Sequence, residues 1–152
     1  SIGSSTNIMR IGSCFFRNVA KDTCSAAGLA ELLIHEAIHN FLGRYEVTHH
    51  ELISGIDPAR SMIESPWSGN VIPIMAYGQA VYVWFGLWSM WSQLHEMGLE
   101  IEHASARRTQ AAWGFLRGDL VSGLRYAGCT VSQKFAEDCS AIRRVVVEGE
   151  SL

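Results

Sequence analysis

Apolar positions recur with a helical period over most of the chain. Residues 26–45 carry apolar side chains on more than one face and no proline, and Asp22, Thr23 and Ser25 stand ahead of them as cap candidates, so a first helix is expected there. Gly43 loosens its last turn. Pro73 suits the first turn of a second helix that runs to Met97, and the apolar circumference of that segment predicts packing on most sides. A third pattern over 99–116 is amphipathic, with Glu100, Glu102, Arg107 and Arg108 expected outward. A short helix is expected over 120–126. The last is expected to begin at Thr130, where Thr130 and Gln133 have capping-box spacing and Val131, Phe135, Cys139, Ile142 and Val146 form an inward stripe.

The helical pattern breaks in two places. Residues 7–16 mix apolar and polar side chains over a strand-like length and predict a strand against the first helix. Residues 46–70 have no clean period, hold Gly55, Pro58 and the turn-forming Ser65-Pro-Trp-Ser-Gly-Asn70, and predict a long irregular connection. Connections of that length in compact domains often carry function. The expected class is therefore mainly α, a helical domain with a small N-terminal β element.

Composition narrows this further. A chain of 152 residues that is 48% hydrophobic has enough apolar surface for one core and too little for two, so 1–152 reads as one domain, whole or cut from a longer protein. The net charge of -3, with basic residues dispersed, leaves no footprint for a nucleic-acid backbone. The uncharged run 71–94 is long enough to cross a bilayer. Pro73, Gly78, Gln79 and Gly86 interrupt it, and Trp84, Trp88 and Trp91 recur at helical spacing rather than at two interfaces, so a buried helix and no membrane partner are expected. No basic-then-apolar leader is visible after Ser1. Cys14, Cys24, Cys129 and Cys139 lack C-x-x-C spacing, so reduced thiols and a cytoplasmic location are expected.

Candidate chemistry centres on His35, Glu36 and His39, an H-E-x-x-H arrangement in an otherwise uncharged segment. On a helix the two imidazoles stack on one face and can grip one metal ion, while Glu36 projects roughly 100° away as an acid/base candidate. The bland alternative is a core helix whose two histidines are merely hydrogen-bonded. A third ligand is harder to find. The protease spacing that adds Gly and then His after the motif meets Leu42 and Tyr45, which excludes it. Among later acids, Glu64 precedes Ser65-Pro66, Glu96 ends a helix, and Glu100 and Glu102 face solvent.

Three separated blocks carry a resemblance: His35-Glu-Ala-Ile-His-Asn-Phe-Leu-Gly-Arg-Tyr-Glu46, Ser65-Pro-Trp-Ser-Gly-Asn70 and Tyr82-Val-Trp-Phe-Gly-Leu87. Together they are similar to the H-E-x-x-H domain of bacterial peptide-modification proteins, whose members are iron(II) and 2-oxoglutarate dependent peptide β-hydroxylases. The likeness runs from the first helix to Trp91 and more weakly through Gly114-Phe-Leu-Arg-Gly118. It implies a zincin-like helix, Fe(II) held by His35 and His39, Glu36 as the motif acid, and 2-oxoglutarate as co-substrate. It also implies a peptide partner, a ribosomally made precursor being one form. Where the family pattern has a third His, this chain has Gln79, a weaker donor, with Glu46, His49, His50 and Tyr77 as alternatives for that contact.

Other residues have both a functional and a bland reading. Arg44 and Arg60 could pair with the distal carboxylate of the keto acid, although most such arginines form surface ion pairs. Trp67 and Tyr77 are substrate-binding candidates, and an aromatic in a turn also staples it to the core. Trp84, Trp88 and Trp91 are expected in the core, and His95 and His103 at the surface. Two other functions compete with the oxygenase: a zinc metallopeptidase with Glu36 as general base, and a non-catalytic module with a degenerate site.

Overall fold

The computed structural model describes residues 3–6, 14–17, 25–49, 51–99 and 101–151. The described residues form five α-helices and small antiparallel sheets, and the class is mainly α. An N-terminal hairpin, β1 Gly3–Thr6 with β2 Cys14–Arg17, lies beside the first helix. Of the strand expected over 7–16, residues 7–13 lie outside the described set, and 14–16 are strand.

The helix α1, Ala26–Thr48, is capped by Ser25, whose Oγ accepts from the Gly28 amide at 3.0 Å. It continues through Gly43 beyond its expected end at Tyr45. The irregular stretch after it resolves into β3 Ile53–Ser54, a 3-10 turn Pro58–Arg60, β4 Met62–Glu64 and β5 Val71–Pro73. Strands β4 and β5 pair antiparallel with Ile63 opposite Ile72. The Ser-Pro-Trp-Ser-Gly-Asn block is the turn between them, closed by Ser65 N–H to Asn70 O and Gly69 N–H to Ser65 O, both at 2.8 Å. Gly69 sits there at φ +70°, which suits a residue without Cβ.

The helix α2, Ile74–Glu96, begins one residue after Pro73, which serves as its N-cap and ends β5. It is the centre of the molecule, burying Ile74, Tyr77, Val81, Leu87, Trp88 and Trp91. No described helix is long and apolar enough to cross a membrane. The contacts Glu46 to Gln79, Ile38 to Gly86 and Glu31 to Trp91 run in opposite senses along α1 and α2, so the two helices pack antiparallel. Helices α3, Ile101–Leu116, and α4, Ser122–Tyr126, follow. Within α3 the arginines are not simply outward: Arg107 pairs with Glu31 and Arg108 with Glu150.

The last helix, α5 Gln133–Glu150, starts later than expected. Thr130 and Val131 form β6, opposite Ser54 and Ile53 of β3, and Ser132 supplies the cap, its Oγ accepting from Phe135 N–H at 3.2 Å. Phe135, Cys139, Ile142 and Val146 are buried as the stripe predicts. Phe115, Phe135 and Leu124 are fully enclosed, and burial of each such side chain contributes about 2 kcal/mol. His103 is exposed as expected, whereas His95 is half-buried with its Nδ1 out of solvent.

Candidate functional site

His35 and His39 lie one turn apart near the middle of α1, both half-buried, with ring centroids 4.8 Å apart and planes inclined at 58°. Two imidazoles whose nitrogens each sit about 2.1 Å from one ion hold their centroids roughly 5 Å apart. The observed spacing therefore accommodates a shared cation. Burial, and next the His39 ring, push the His35 pKa below its ordinary 6.5, against the opposing pull of Glu36 and Glu31. A neutral imidazole is the form that binds metal.

Glu36 is only 2% exposed, the one buried carboxylate among the described residues. Its neighbour one turn on, Asn40, donates to the Glu36 carbonyl and to Cys14 Sγ, each at 3.0 Å, which places the N-terminal hairpin on this side of α1. Glu36 thus lies to one side of the imidazole pair, and α2 to the other.

Gln79 comes from α2. Its Oε1 is 2.8 Å from His39 Nδ1, and its Nε2 donates to Glu46 Oε2 at 2.8 Å. The expectation that Gln79 is the third metal contact gives way to this arrangement, because both ends of its amide are engaged within the protein. Glu46, an alternative for that contact, holds the far end of the same chain of bonds. No third His, Cys, Asp or Glu joins the pair in a metal-holding group among the described residues.

The other candidates are committed elsewhere. His49 stacks on Tyr45 with centroids 4.5 Å apart and bonds Thr48 Oγ1 at 2.7 Å. Tyr77 is buried and donates its hydroxyl to Leu120 O at 2.9 Å, and desolvation raises its pKa. Glu64 and Glu96 are exposed, while His50, Glu100 and the Glu102 side chain fall outside the described residues. Arg44 is exposed and lies five positions beyond His39, roughly 140° round the helix. Arg60 is exposed on the 3-10 turn.

Trp67 is 3% exposed and donates its Nε1–H to Ala111 O at 3.0 Å. It stacks on Trp84 with centroids 6.0 Å apart and meets Phe115 edge-on at 5.1 Å. The substrate-binding expectation for Trp67 is corrected: the ring staples the β4–β5 turn to the core. Trp84 is half-buried, while Trp88 and Trp91 are buried as expected.

A carboxylate that the sequence reading did not single out organises the other half of α1. Glu31, one turn before His35, accepts from Trp91 Nε1 at 2.9 Å and Arg107 Nε at 3.1 Å, and its second oxygen pairs with Arg107 Nη2. The available signal was a buried indole that needs an acceptor, with Glu31 the acid on the inward face of α1. Between α1, α2 and α5 there is also a cleft of about 440 Å³, lined by Ile38, Phe41, Tyr45, Tyr82 and Phe85 among others, with neither imidazole in its lining. At its edge Tyr82 donates to Asp138 at 2.9 Å, and Lys134 pairs with the same carboxylate.

No family model, no curated protein and no solved structure matches this chain. Its site is therefore read from its own geometry and from the residue blocks it carries.

Proposed function

We propose that this chain is an iron(II) and 2-oxoglutarate dependent oxygenase that hydroxylates a peptide side chain, with the metal held by His35 and His39 on a zincin-like helix. The observation that carries the reading is the pair of half-buried imidazoles at 4.8 Å, flanked by a carboxylate that is 2% exposed. Imidazole suits iron and zinc alike, so the donors by themselves do not select the metal. Three ordered sequence blocks favour iron. A centre with few protein ligands would leave room for the keto acid and O₂.

Bound iron with the keto acid and O₂ would supply the oxidation, in which a C–H becomes C–OH while 2-oxoglutarate becomes succinate and CO₂. The chain's own residues do the rest. His35 and His39 would hold the metal, and the buried Glu36 offers an acid/base group beside them. Neither Arg44 nor Arg60 is assigned to the keto acid, Arg44 because it lies off the imidazole face and Arg60 because nothing places it near that face.

The deciding experiment is metal analysis of the purified protein, followed by anaerobic iron loading and succinate measurement with a peptide library. Iron with peptide-stimulated succinate formation is expected. Zinc with peptide cleavage would replace this reading by a metallopeptidase using Glu36 as general base. Failure to hold any divalent metal would leave a non-catalytic binding module.

A further inference from the structure

Two hydrogen bonds determine where the proton of His39 sits. A carboxylate oxygen only accepts, so the amide atom of Gln79 facing Glu46 is the NH₂ group. The opposite orientation would set two oxygens against each other at 2.8 Å. With the amide fixed that way, its carbonyl oxygen faces His39 Nδ1, also at 2.8 Å. Oxygen accepts here as well, so Nδ1 carries a proton, and in the neutral ring Nε2 keeps its lone pair.

We infer that Gln79 and Glu46 are positioning residues that hold His39 as the Nδ1–H tautomer, presenting a bare Nε2 to a metal. The inference rests on the proposed metal role of His39, and it accounts for a neutral amide at a position where the resemblance implies a ligand. A histidine side chain free in water favours the Nε2–H form, which would have to shift its proton before binding through that nitrogen. Metal-bound histidines elsewhere donate their second N–H to a carboxylate, carbonyl or water, which orients the ring and raises its basicity. In this chain the acceptor is an amide carbonyl, and the negative charge that polarises it lies one residue further, at Glu46. The span also suits the part: His39 and Glu46 are two turns apart on one face of α1, about 10 Å along the axis, and a single Gln79 from α2 bonds both.

The test uses the whole chain, metal-free and ¹⁵N-labelled, at a pH where the imidazoles are neutral. Long-range proton–nitrogen correlation reads each ring, and His39→Asn assigns the signal. The wild type is expected to show His39 with Nδ1 protonated and Nε2 bare; an Nε2–H ring would overturn the inference. In Gln79→Leu the ring is expected to move toward the Nε2–H form, and Zn(II) affinity to fall about 10–100-fold. An unchanged tautomer in that variant would refute the role. The pair Gln79→Glu with Glu46→Gln swaps acceptor and donor and is expected to restore the wild-type tautomer, which a residue that merely fills space would not do. Should Gln79→Leu fail to fold, the wild-type spectrum and the swapped pair decide. The two readings fail separately: an Nδ1–H ring in a protein that binds no metal sinks the proposed function alone, and metal binding by an Nε2–H ring sinks this inference alone.

Discussion

Gly114→Ala should destabilise the protein severely, because Trp67 occupies the space that a Cβ would need. A Cβ at this position would lie 2.2 Å from Trp67 Cε2, 2.4 Å from Nε1 and 2.5 Å from Cδ2. Carbon atoms in contact prefer about 3.5–4.0 Å, so the indole must retreat by more than one bond's thickness. It has nowhere to go, being held between Trp84 and Phe115. Overpacking of this kind costs about 1–3 kcal/mol. Displacing the ring also strains or breaks the buried bond from Nε1 to Ala111 O, a loss of about 1–3 kcal/mol. Alanine's better helix propensity returns only about 1 kcal/mol. The net effect is a loss of roughly 1–5 kcal/mol, a large share of the stability of an ordinary domain. Urea unfolding followed by helical circular dichroism measures it directly. The sharper test is the same substitution in a Trp67→Leu background. There the obstacle is gone, and Gly114→Ala should become neutral or stabilising by about 0.5–1 kcal/mol. Equal losses in both backgrounds, or no loss in the first, would refute the placement of Trp67 in the core.

Three further outcomes are expected. His35→Ala should abolish divalent-metal binding in calorimetric titration while leaving the circular dichroism of the helices in place. Glu36→Gln should keep fold and metal but lower turnover by about 10²–10⁴-fold if the carboxylate acts as acid or base, read as kcat with succinate as product. Burial, and to a lesser extent Asp138 and Asp119, push the Cys139 thiol from 9.0 up to about 12. Its folded pKa lies above its unfolded one, so the associated stability is complete below the unfolded value and is lost as pH rises through the folded one. The urea midpoint should accordingly fall with alkalinity across that window, by less in Cys139→Ala, and the thiol should resist disulfide reagents until the chain unfolds.

Local patterning made much of the helical framework legible. Ser25 precedes an uninterrupted run and caps it, and the 3.6-residue stripe from Phe135 to Val146 is the face that α5 buries. What escaped depended on partners distant in sequence. Thr130 and Gln133 have the spacing of a capping box, yet β3 draws Thr130 and Val131 into a strand pair and leaves the cap to Ser132. Arg107 looks outward on a helical wheel until α1 brings Glu31 to it. For the site, the motif identified the two imidazoles and the acid between them. The part played by Gln79 needed the antiparallel register of α1 and α2, since only that register places one amide between His39 and Glu46.

Glu31 and Glu46 anchor the same helix at two points, one on each side of the imidazole pair, to side chains of α2 and α3. A rod pinned twice along its length neither rolls about its axis nor slides. The azimuth of both rings is therefore set when the helices dock, before any ion or small molecule arrives. A single residue inserted between His39 and Glu46 would turn the second pin by roughly 100°, leaving the histidines in place but taking Glu46 away from the amide that aims one of them.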